Sequence, residues 1–283
     1  MTPAKMAVVY HAGCMDGAAS AAAAYYLSSS AIDFFALPPG ASFGGRDGNP
    51  YNLIMVLDMT LPKDNIVDLM EAGSTVQIID HHVTNLEETR WYKHYQYWPD
   101  NSGCVATWKT MTKSSVPKSL LYIEDRDLWN WELKYSKELN AYIQVQNRDI
   151  PSLSKFLFGE FKPNKESVMK GLEILKSNES IVRQQALASV TTNRGVFVNA
   201  TTLQSEVGHL LLDREGMDSS VAVVYGYLQF DRVKGSLRSG PNGPDVSRVA
   251  ARQGGGGHKH AAGMTMGVQE FNNFVIDFSE GKC

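Results

Sequence analysis

Three apolar segments in the first half of the chain each end at a histidine or an aspartate, and this pattern constrains the fold more than any other feature. The segments and the polar residues that close them are 7–10 with His11, 53–57 with Asp58, and 75–79 with Asp80. Short apolar runs separated by helical segments are typical of parallel strands buried under helices on both faces. Because such sheets bind ligands at the carboxyl ends of their strands, we expect the three polar residues to meet at one edge.

The segments between these strands carry helical signals. Residues 16–27 are rich in alanine, which is the strongest helix former. Residues 62–71 begin with a proline, which the first turn of a helix tolerates. Residues 102–113 and 118–124 also have helical character. The first half is therefore predicted to be an α/β domain, with a parallel sheet flanked by helices.

The pattern of the sequence changes in the second half. Residues 165–189 have the apolar spacing of a long helix, which is expected to link two domains. The segments that follow predict a smaller mixed sheet with a helix, from strands at 196–198, 221–228 and 234–237 and a helix at 246–252. We therefore predict a smaller α/β domain after the linker helix. The expected domain limits are 1–188, which includes the linker helix, and 191–283.

The composition is that of an ordinary globular protein. The chain has 283 residues, of which 43% are hydrophobic and 20% charged. It contains no apolar stretch of roughly 18 residues and no signal-peptide pattern at its start, so we expect no membrane partner. Its three cysteines are widely spaced and form no CxxC pair. This usage indicates a reducing compartment and predicts a cytoplasmic location.

The net charge limits the kind of nucleic acid that the chain can bind. The formal net charge is -3, whereas proteins that grip long nucleic acids usually carry a basic excess. We therefore expect a short oligonucleotide or a nucleotide as substrate, and no long duplex DNA. The sequence leaves the oligomeric state open, a homodimer included.

Carboxylates and imidazoles gather at the predicted strand and helix ends. The candidate metal ligands are His11, Asp16, Asp58, Asp80, His81, Asp125 and Asp127. Mixed oxygen and imidazole ligands suit Mn²⁺, Mg²⁺ or Zn²⁺, and Asp58 is the central candidate for a bridge between two ions. An aspartate after a strand is more often the N-cap of the next helix, and that reading stays open for Asp58. Two adjacent histidines, His81 and His82, are harder to explain by packing.

Four consecutive glycines, at 254–257, precede His258. Flexible linkers are usually glycine and serine without histidine at fixed positions, and this run lies between a predicted helix and an apolar segment. We therefore interpret it as a loop inside a folded domain. Backbone N–H groups of such a loop can cradle a phosphate, and Ser236, Arg238 and His258 could meet on the same anion.

The order of these motifs resembles that of the DHH phosphoesterase superfamily, in the branch with the DHH-associated C-terminal domain. The resemblance runs from His11 to Gly263: a histidine in the first loop, a strand-end aspartate, Asp-His-His, a later aspartate, then GGGH followed by AAG. Members include RecJ-type exonucleases, oligoribonucleases and phosphodiesterases of cyclic dinucleotides. The resemblance implies two divalent ions as cofactors, most readily Mn²⁺, with Mg²⁺ or Zn²⁺ as alternatives.

The resemblance also implies roles for individual residues. The implied metal ligands are His11, Asp16, Asp58, His81 and Asp125. Asp125 is preferred to Asp127 because it comes first after the predicted helix. Asp80 would be a ligand or would orient His81, and His82 would face the phosphate. The predicted substrate-binding set is Ser236, Arg238, Gly255, Gly256, Gly257 and His258.

The first loop departs from the pattern of the superfamily. That pattern has two aspartates after the histidine, and Asp16 matches the second of them. The first falls at Gly13, Cys14 or Met15, none of which is a carboxylate. Cys14 could replace it as a thiolate, which would favour Zn²⁺. Alternatively, water fills the position, or one ion binds weakly or only together with the substrate.

The sequence thus predicts a metal-dependent phosphoesterase. It would hydrolyse phosphodiester bonds of short oligonucleotides or small nucleotides, cyclic ones included, by two-metal activation of water. The missing carboxylate motivates an alternative, a non-catalytic or weakly active nucleotide-binding regulator on a decayed scaffold. An inorganic pyrophosphatase is disfavoured, because that branch resembles this chain in the first domain alone.

Overall fold

The contacts within the chain divide it into two compact units, Met1–Leu175 and Lys176–Cys283. The computed structural model describes residues 6–28, 30–45, 51–214, 220–228 and 231–282. The domain limits expected from the sequence, 1–188 and 191–283, stay a prediction. Among the described residues, no helix combines the length and the hydrophobicity that crossing a membrane requires.

The first unit contains a five-stranded sheet in which every strand pair is parallel. Its strands, in the spatial order β2-β1-β3-β4-β5, are β1 (Met6–His11), β2 (Ile32–Leu37), β3 (Leu53–Leu57), β4 (Thr75–Asp80) and β5 (Tyr95–Tyr97). The predicted parallel sheet is therefore confirmed. The sequence analysis missed β2 and β5, because both are edge strands of mostly half-buried residues and carry no continuous buried run.

Helices of the first unit cover both faces of this sheet. They are α1 (Met15–Leu27), α2 (Lys63–Glu71), α3 (Val83–Thr89), α4 (Gly103–Met111), α5 (Lys118–Asp127), α6 (Ser136–Gln144), α7 (Ile150–Lys155), a π-helical turn (Phe156–Glu160) and α8 (Lys165–Leu187), which continues into the second unit. Successive side chains of a strand point to opposite faces. Accordingly, Val8 of β1 packs with the alanines of α1, whereas Val9 packs in a second cluster with Ile66 of α2.

Helix α1 approaches the sheet closely because its first turns consist of small residues. A Cβ on Gly17 would lie 2.4 Å from the backbone oxygen of His11, so only glycine fits there. The alanines that follow in α1 are buried. This close packing places Asp16, in the first turn of α1, beside the carboxyl end of β1.

The second unit contains a mixed sheet, as the sequence predicted, and this sheet has six strands, of which the sequence analysis identified three. Its strands, in the order β10-β11-β9-β8-β7-β6, are β6 (Val190–Thr191), β7 (Gly195–Asn199), β8 (Val221–Tyr227), β9 (Arg232–Ser239), β10 (Gly256–His258) and β11 (Ala261–Gly267). Strands β7 and β8 are parallel and the other pairs antiparallel. The helices of this unit are α9 (Gln204–Leu212), α10 (Val246–Arg252) and α11 (Val268–Glu280).

The glycine run is not a loop along its whole length, which corrects the expectation from the sequence. Its last two glycines and His258 form β10, which pairs with β11. A Cβ on Gly255 would lie 2.1 Å from the backbone oxygen of Gly263, and one on Gly257 would lie 2.5 Å from that of Ala261. Gly257 also has a φ of +144°, a conformation that residues with a side chain rarely adopt. The glycines therefore permit a close approach of two backbones.

Candidate metal centre

The carboxyl ends of three adjacent strands bring three predicted residues together. His11 ends β1, Asp58 follows β3 and His81 follows β4. The Nδ1 atom of His11 lies 3.3 Å from Oδ2 of Asp58, and Nε2 of His81 lies 3.1 Å from Oδ1 of Asp58. The carboxylate of Asp58 therefore lies between two imidazoles, at the position expected for a bridge.

The surroundings of Asp58 fit a cation better than a structural role. Its side chain is 1% exposed, and although the two imidazole nitrogens lie within 3.3 Å, no described residue makes a contact of hydrogen-bond geometry with either carboxylate oxygen. Buried polar atoms are nearly always hydrogen-bonded, so two such oxygens need another partner. The N-cap reading is wrong, because the residue at the N-cap of α2 is Pro62. Asp58 also has a φ of +60°, a strained conformation of the kind that persists at functional sites.

Asp16 reaches the same cluster from the first turn of α1. Its Oδ2 lies 3.8 Å from Nε2 of His81. Its two oxygens accept hydrogen bonds from the backbone N–H groups of Gly103 and Cys104, at 2.6 and 2.9 Å. These N–H groups belong to the first turn of α4, where the helix dipole favours an anion. The carboxylate is thereby held in a fixed orientation.

Gly103 is a residue of the site that the sequence analysis missed. A Cβ at this position would lie 2.6 Å from Cβ of Asp58 and 2.9 Å from Oδ2 of Asp16. No other residue leaves room for both carboxylates. The available signal was its place at the start of a predicted helix, which does not reveal what the helix start faces.

Asp127, not Asp125, joins the cluster, which corrects the preference from the sequence. Oδ2 of Asp127 lies 3.6 Å from Nε2 of His81. The two oxygens of Asp125 instead accept backbone N–H hydrogen bonds from Glu132 and Leu133, at 3.0 and 3.2 Å. The preference rested on which residue came first after the helix, but α5 includes both. Asp125 thus stabilises the turn after α5, and we move the proposed ligand role to Asp127.

Asp80 holds His82 in place. Its Oδ1 accepts hydrogen bonds from the backbone N–H of His81 and from Nδ1 of His82, both at 2.8 Å. Its Oδ2 accepts from Nδ2 of Asn85 at 2.6 Å, a partner that the sequence analysis missed. The ring of His82 packs edge-on against that of His81, with 4.5 Å between centroids. The orienting role expected for Asp80 thus falls on the ring of His82 and on the backbone of His81.

The electrostatics of the cluster are those of several buried carboxylates held close together. Burial raises the pKa of Asp16 well above its usual range, and the neighbouring Asp58 and Asp127 carboxylates raise it further. Burial also acts to raise the pKa of Asp58, but His11 and His81 outweigh it and hold that pKa well below its usual range. Burial lowers the pKa of His81, yet the three aspartates raise it to about 10. A bound cation would relieve this repulsion between buried acids.

The donor atoms form two overlapping groups. One contains Asp16, Asp58 and His81, and the other contains His11, Cys14 and Asp58. Within each group, one ligand atom from every residue lies within 4.8 Å of the others. Asp58 belongs to both, as a bridging carboxylate would. The residues therefore fit two neighbouring divalent cations.

The structure shows which of the three residues that could replace the missing carboxylate of the first loop lies near the other candidate ligands. Gly13 has no side chain, and its φ of +77° marks a turn. Met15 is 3% exposed and packs in the hydrophobic core. Cys14 is the N-cap of α1, where its Sγ accepts a hydrogen bond from the N–H of Asp16 at 3.2 Å. Cys14 is therefore the residue of this loop that faces His11 and Asp58.

Part of the predicted substrate-binding set lies on one face of the sheet in the second unit. Strand pairing places Arg238 of β9, Ala261 of β11 and His258 of β10 in one row across the sheet. The neighbouring row on the same face contains Ser236, Gly263 and Gly256. Directly opposed residues of antiparallel strands share a face. Gly255 precedes β10 and Gly257 lies within it. The pairing thus brings Ser236, Arg238 and His258 to neighbouring positions.

Arg238 is held by its neighbours. Its guanidinium donates hydrogen bonds to Oγ of Ser236 at 3.0 Å and to Oγ of Ser205 at 2.6 Å. Its stem packs on α9, where a Cβ on Gly208 would lie 2.9 Å from Cγ of Arg238. Ser205 and Gly208 were missed by the sequence analysis, because both come from a helix that it did not predict. Arg238 is thereby oriented before any ligand binds.

Comparison with known proteins agrees with this architecture. Residues 187–280 match the DHHA1 domain family. The uncharacterized protein R106 of Acanthamoeba polyphaga mimivirus is 24% identical over 282 residues, covering 91% of this chain and 66% of the viral protein. The oligoribonuclease NrnB of Bacillus subtilis (strain 168) is 25% identical over 264 residues, covering 82% of this chain and 64% of NrnB. The chain thus spans slightly less than two thirds of the length of these relatives.

Solved structures share the fold. RecJ from Thermus thermophilus, in complex with Mn²⁺, has a TM-score of 0.56 at 14% identity and covers 98% of this chain and 52% of RecJ. The pGpG-specific phosphodiesterase PggH from Vibrio cholerae has a TM-score of 0.50 at 10% identity and covers 98% of each chain. Together with the sequence matches, these comparisons fit the DHH superfamily. Members of that superfamily are phosphoesterases.

Proposed function

We propose that the chain is a metal-dependent phosphoesterase that hydrolyses phosphodiester bonds in short oligonucleotides or in small nucleotides, cyclic ones included. The observation that carries the proposal is Asp58, a buried carboxylate between two imidazoles whose oxygens lack a hydrogen-bond partner among the described residues. The Bacillus subtilis relative is named an oligoribonuclease, which supports the same substrate class. The net charge of -3 favours a short substrate over a long duplex.

The residues of the first unit hold the cofactor. Asp16, Asp58, His81 and Asp127 would hold one divalent cation, and His11 with Asp58 would hold the second. Such a pair of cations, most readily Mn²⁺, supplies Lewis acidity, which activates water and neutralises charge on the phosphoryl oxygens. Gly103 keeps the two carboxylates close together, and the backbone of α4 fixes the orientation of Asp16.

His82 has a separate role beside the cations. A carboxylate accepts hydrogen bonds, so the contact with Asp80 places a proton on Nδ1 of His82. In the proposed function, Nε2 of His82 then faces the substrate phosphate. Because Asp80 is also bonded to Asn85, the imidazole has a fixed direction.

The second unit holds the substrate. Arg238 and His258 offer N–H donors, and Ser236 offers a hydroxyl, on the same face of the sheet. A guanidinium presents a rigid fork of donors that matches a phosphate, and the hydrogen bond to Ser205 keeps that fork oriented. We propose that these side chains bind a terminal phosphate or the neighbouring phosphodiester of the substrate. The cytoplasmic location stays a prediction, and the oligomeric state stays open.

A panel of substrates tests the proposal. The purified chain is incubated with pNpN dinucleotides, cyclic dinucleotides and pAp, each with Mn²⁺, Mg²⁺ or Zn²⁺. We expect hydrolysis of at least one class, and its loss in Asp58→Asn. The matched control is Asp68→Asn, which changes an exposed aspartate on α2 and should hydrolyse as the wild type does.

The alternative is a nucleotide-binding regulator without catalysis. The observation that favours it is the first loop, which offers a cysteine where the superfamily has a carboxylate. A chain that binds a nucleotide tightly in the presence of a metal but hydrolyses no member of the panel would establish this alternative and would contradict the proposed hydrolysis.

A further inference from the structure

The two groups of donor atoms around Asp58 differ in chemistry. The group of Asp16, Asp58 and His81 offers oxygen and nitrogen alone, whereas the group of His11, Cys14 and Asp58 includes a sulfur. Hard oxygen ligands suit Mn²⁺ and Mg²⁺, and a thiolate shifts preference toward softer cations such as Zn²⁺. The two cation positions are therefore not equivalent in this chain.

The position of Cys14 is built by its neighbours. The N–H of Asp16 donates to its Sγ at 3.2 Å, which holds the side chain at the N-terminus of α1. Other candidate ligand atoms lie close to this thiol. Nδ1 of His11 and both oxygens of Asp58 are buried atoms without a hydrogen-bond partner among the described residues, and the side chain of Asp58 is 1% exposed. These atoms point independently to a ligand at this place.

We propose that Cys14 is a thiolate ligand of one of the two cations, so that His11, Cys14 and Asp58 form a position selective for a Zn²⁺-like cation. The other position, of Asp16, Asp58 and His81, takes a harder cation such as Mn²⁺. On binding, the bond from sulfur to hydrogen is replaced by one from sulfur to the metal, and the proton leaves to solvent. This inference rests on the proposed metal centre.

The other described cysteine provides a contrast. Sγ of Cys104 lies 3.4 Å from Oγ of Ser102 and 3.9 Å from the backbone oxygen of Leu120, inside the core. Cys104 belongs to none of the groups of candidate ligand atoms among the described residues. A thiol-to-metal signal is therefore expected from Cys14 and not from Cys104.

Cobalt substitution tests the inference without any activity measurement. The full chain is freed of metal and titrated with Co²⁺, which replaces Zn²⁺ and gives a near-ultraviolet charge-transfer absorption when a thiolate binds it. We expect this absorption in the wild type, in Cys104→Ala and in Cys283→Ser, and its loss in Cys14→Ser. Competition with Zn²⁺ should show an affinity at least about 10-fold lower in Cys14→Ser.

Cys14→Asp sharpens the test. Serine and aspartate are both good N-caps, so α1 should be retained in either variant, which circular dichroism checks. Cys14→Asp should also lose the charge-transfer absorption, but it should bind Mn²⁺ more tightly and Zn²⁺ less tightly than the wild type does. A swap of preference between two cations cannot come from a general loss of structure.

Several outcomes would overturn the inference. The inference would be wrong if the wild type showed no thiolate absorption with Co²⁺ or if Cys14→Ser kept that absorption. It would also be wrong if the absorption were lost in Cys104→Ala. If the chain hydrolyses members of the substrate panel but fails these tests, the proposed function is supported and the thiolate ligand is excluded. If the chain passes these tests but hydrolyses no member of the panel, the thiolate ligand is supported and the proposed function is excluded.

Discussion

The candidate metal centre of the first unit and the arginine site of the second unit differ in how far their polar groups are satisfied by the protein itself. The oxygens of Asp58 are buried and no described residue makes a contact of hydrogen-bond geometry with them, and burial together with the nearby acids raises the pKa of Asp16. Arg238, in contrast, donates hydrogen bonds to Ser205 and Ser236. We therefore expect the first site to gain stability from bound cations, whereas the side chain of Arg238 in the second is oriented in advance. Variants in the two sites should therefore fail in different ways.

The largest effect on activity is expected from Asp58→Asn. An amide is a poor ligand beside two cations, so hydrolysis should fall by about 10³-fold or more, a loss at the upper end of what one transition-state contact contributes. Steady-state kinetics and metal content by mass spectrometry check this. A folded variant that keeps more than about a tenth of the activity would exclude the bridging role, since a single contact already accounts for roughly 10²-fold.

A large loss of stability is expected from Met15→Asp. Had this position replaced the missing carboxylate, an aspartate there would bind a cation more tightly. Because Met15 lies in the core, the variant should instead lose about 3–5 kcal/mol of unfolding free energy, the typical cost of an unpaired buried charge. Urea unfolding and a Mn²⁺ titration of the same preparation measure both quantities. Tighter Mn²⁺ binding without destabilisation would show that our assignment of the loop is wrong.

Metal removal should lower the stability of the folded chain through the first site and not through the second. A chelator should destabilise the wild type, by about 2.7 kcal/mol relative to metal at 100 times its Kd. The difference should vanish in Asp58→Asn and persist in Arg238→Ala, because Arg238 belongs to the pre-oriented site. Thermal melts with and without Mn²⁺ measure it. A wild type with equal stability in both conditions would remove the contrast between the sites.

A smaller effect on catalysis is expected from Arg238→Ala. Hydrogen bonds to a charged group contribute about 1.5–3 kcal/mol, so KM should rise by roughly 10-fold to 100-fold. Arg238→Lys keeps the charge but not the fork and should fall between alanine and the wild type. His258→Ala should also raise KM. Calorimetry should show unchanged Mn²⁺ binding in all three variants, and loss of that binding would contradict the separation of roles.

The smallest effect concerns pH and His209 on α9. Burial, together with the nearby Arg238, lowers the pKa of His209 from 6.5 to about 4, although Glu206 acts to raise it. Below pH 6.5 the unfolded chain takes up a proton that the folded chain refuses, so stability falls as pH drops toward 4. Relative to His209→Gln, the wild type should lose less than about 1 kcal/mol between pH 7 and pH 6. Urea unfolding at both values measures this; an equal change in both proteins would exclude His209 as the cause.

Much of the first unit could be predicted because its signals are local. The apolar runs before His11, Asp58 and Asp80 correspond to β1, β3 and β4, and the bounds of β3 were predicted to the residue. Continuous apolar runs identify central strands of a parallel sheet, which are buried on both faces. The short edge strand β5 has no such run, and it was missed.

The site was predicted less evenly than the fold. Residues at strand ends were identified because the sheet itself brings them together. Gly103 and Ser205 were not, since each acts through a contact with a residue more than 30 positions away in sequence. The first allows two carboxylates to meet, and the second holds a guanidinium. Neither function leaves a pattern in the neighbouring sequence.

The sequence by itself determined the class of fold, the strand ends that carry the candidate ligands and the resemblance to the DHH superfamily, because hydrophobic periodicity and the order of motifs are properties of the linear chain. The tertiary structure alone decided between Asp125 and Asp127 and among Gly13, Cys14 and Met15. Within one turn of helix, neighbouring side chains point in different directions. Which of them faces the site depends on how α1 and α5 pack, and packing is settled by contacts distant in sequence.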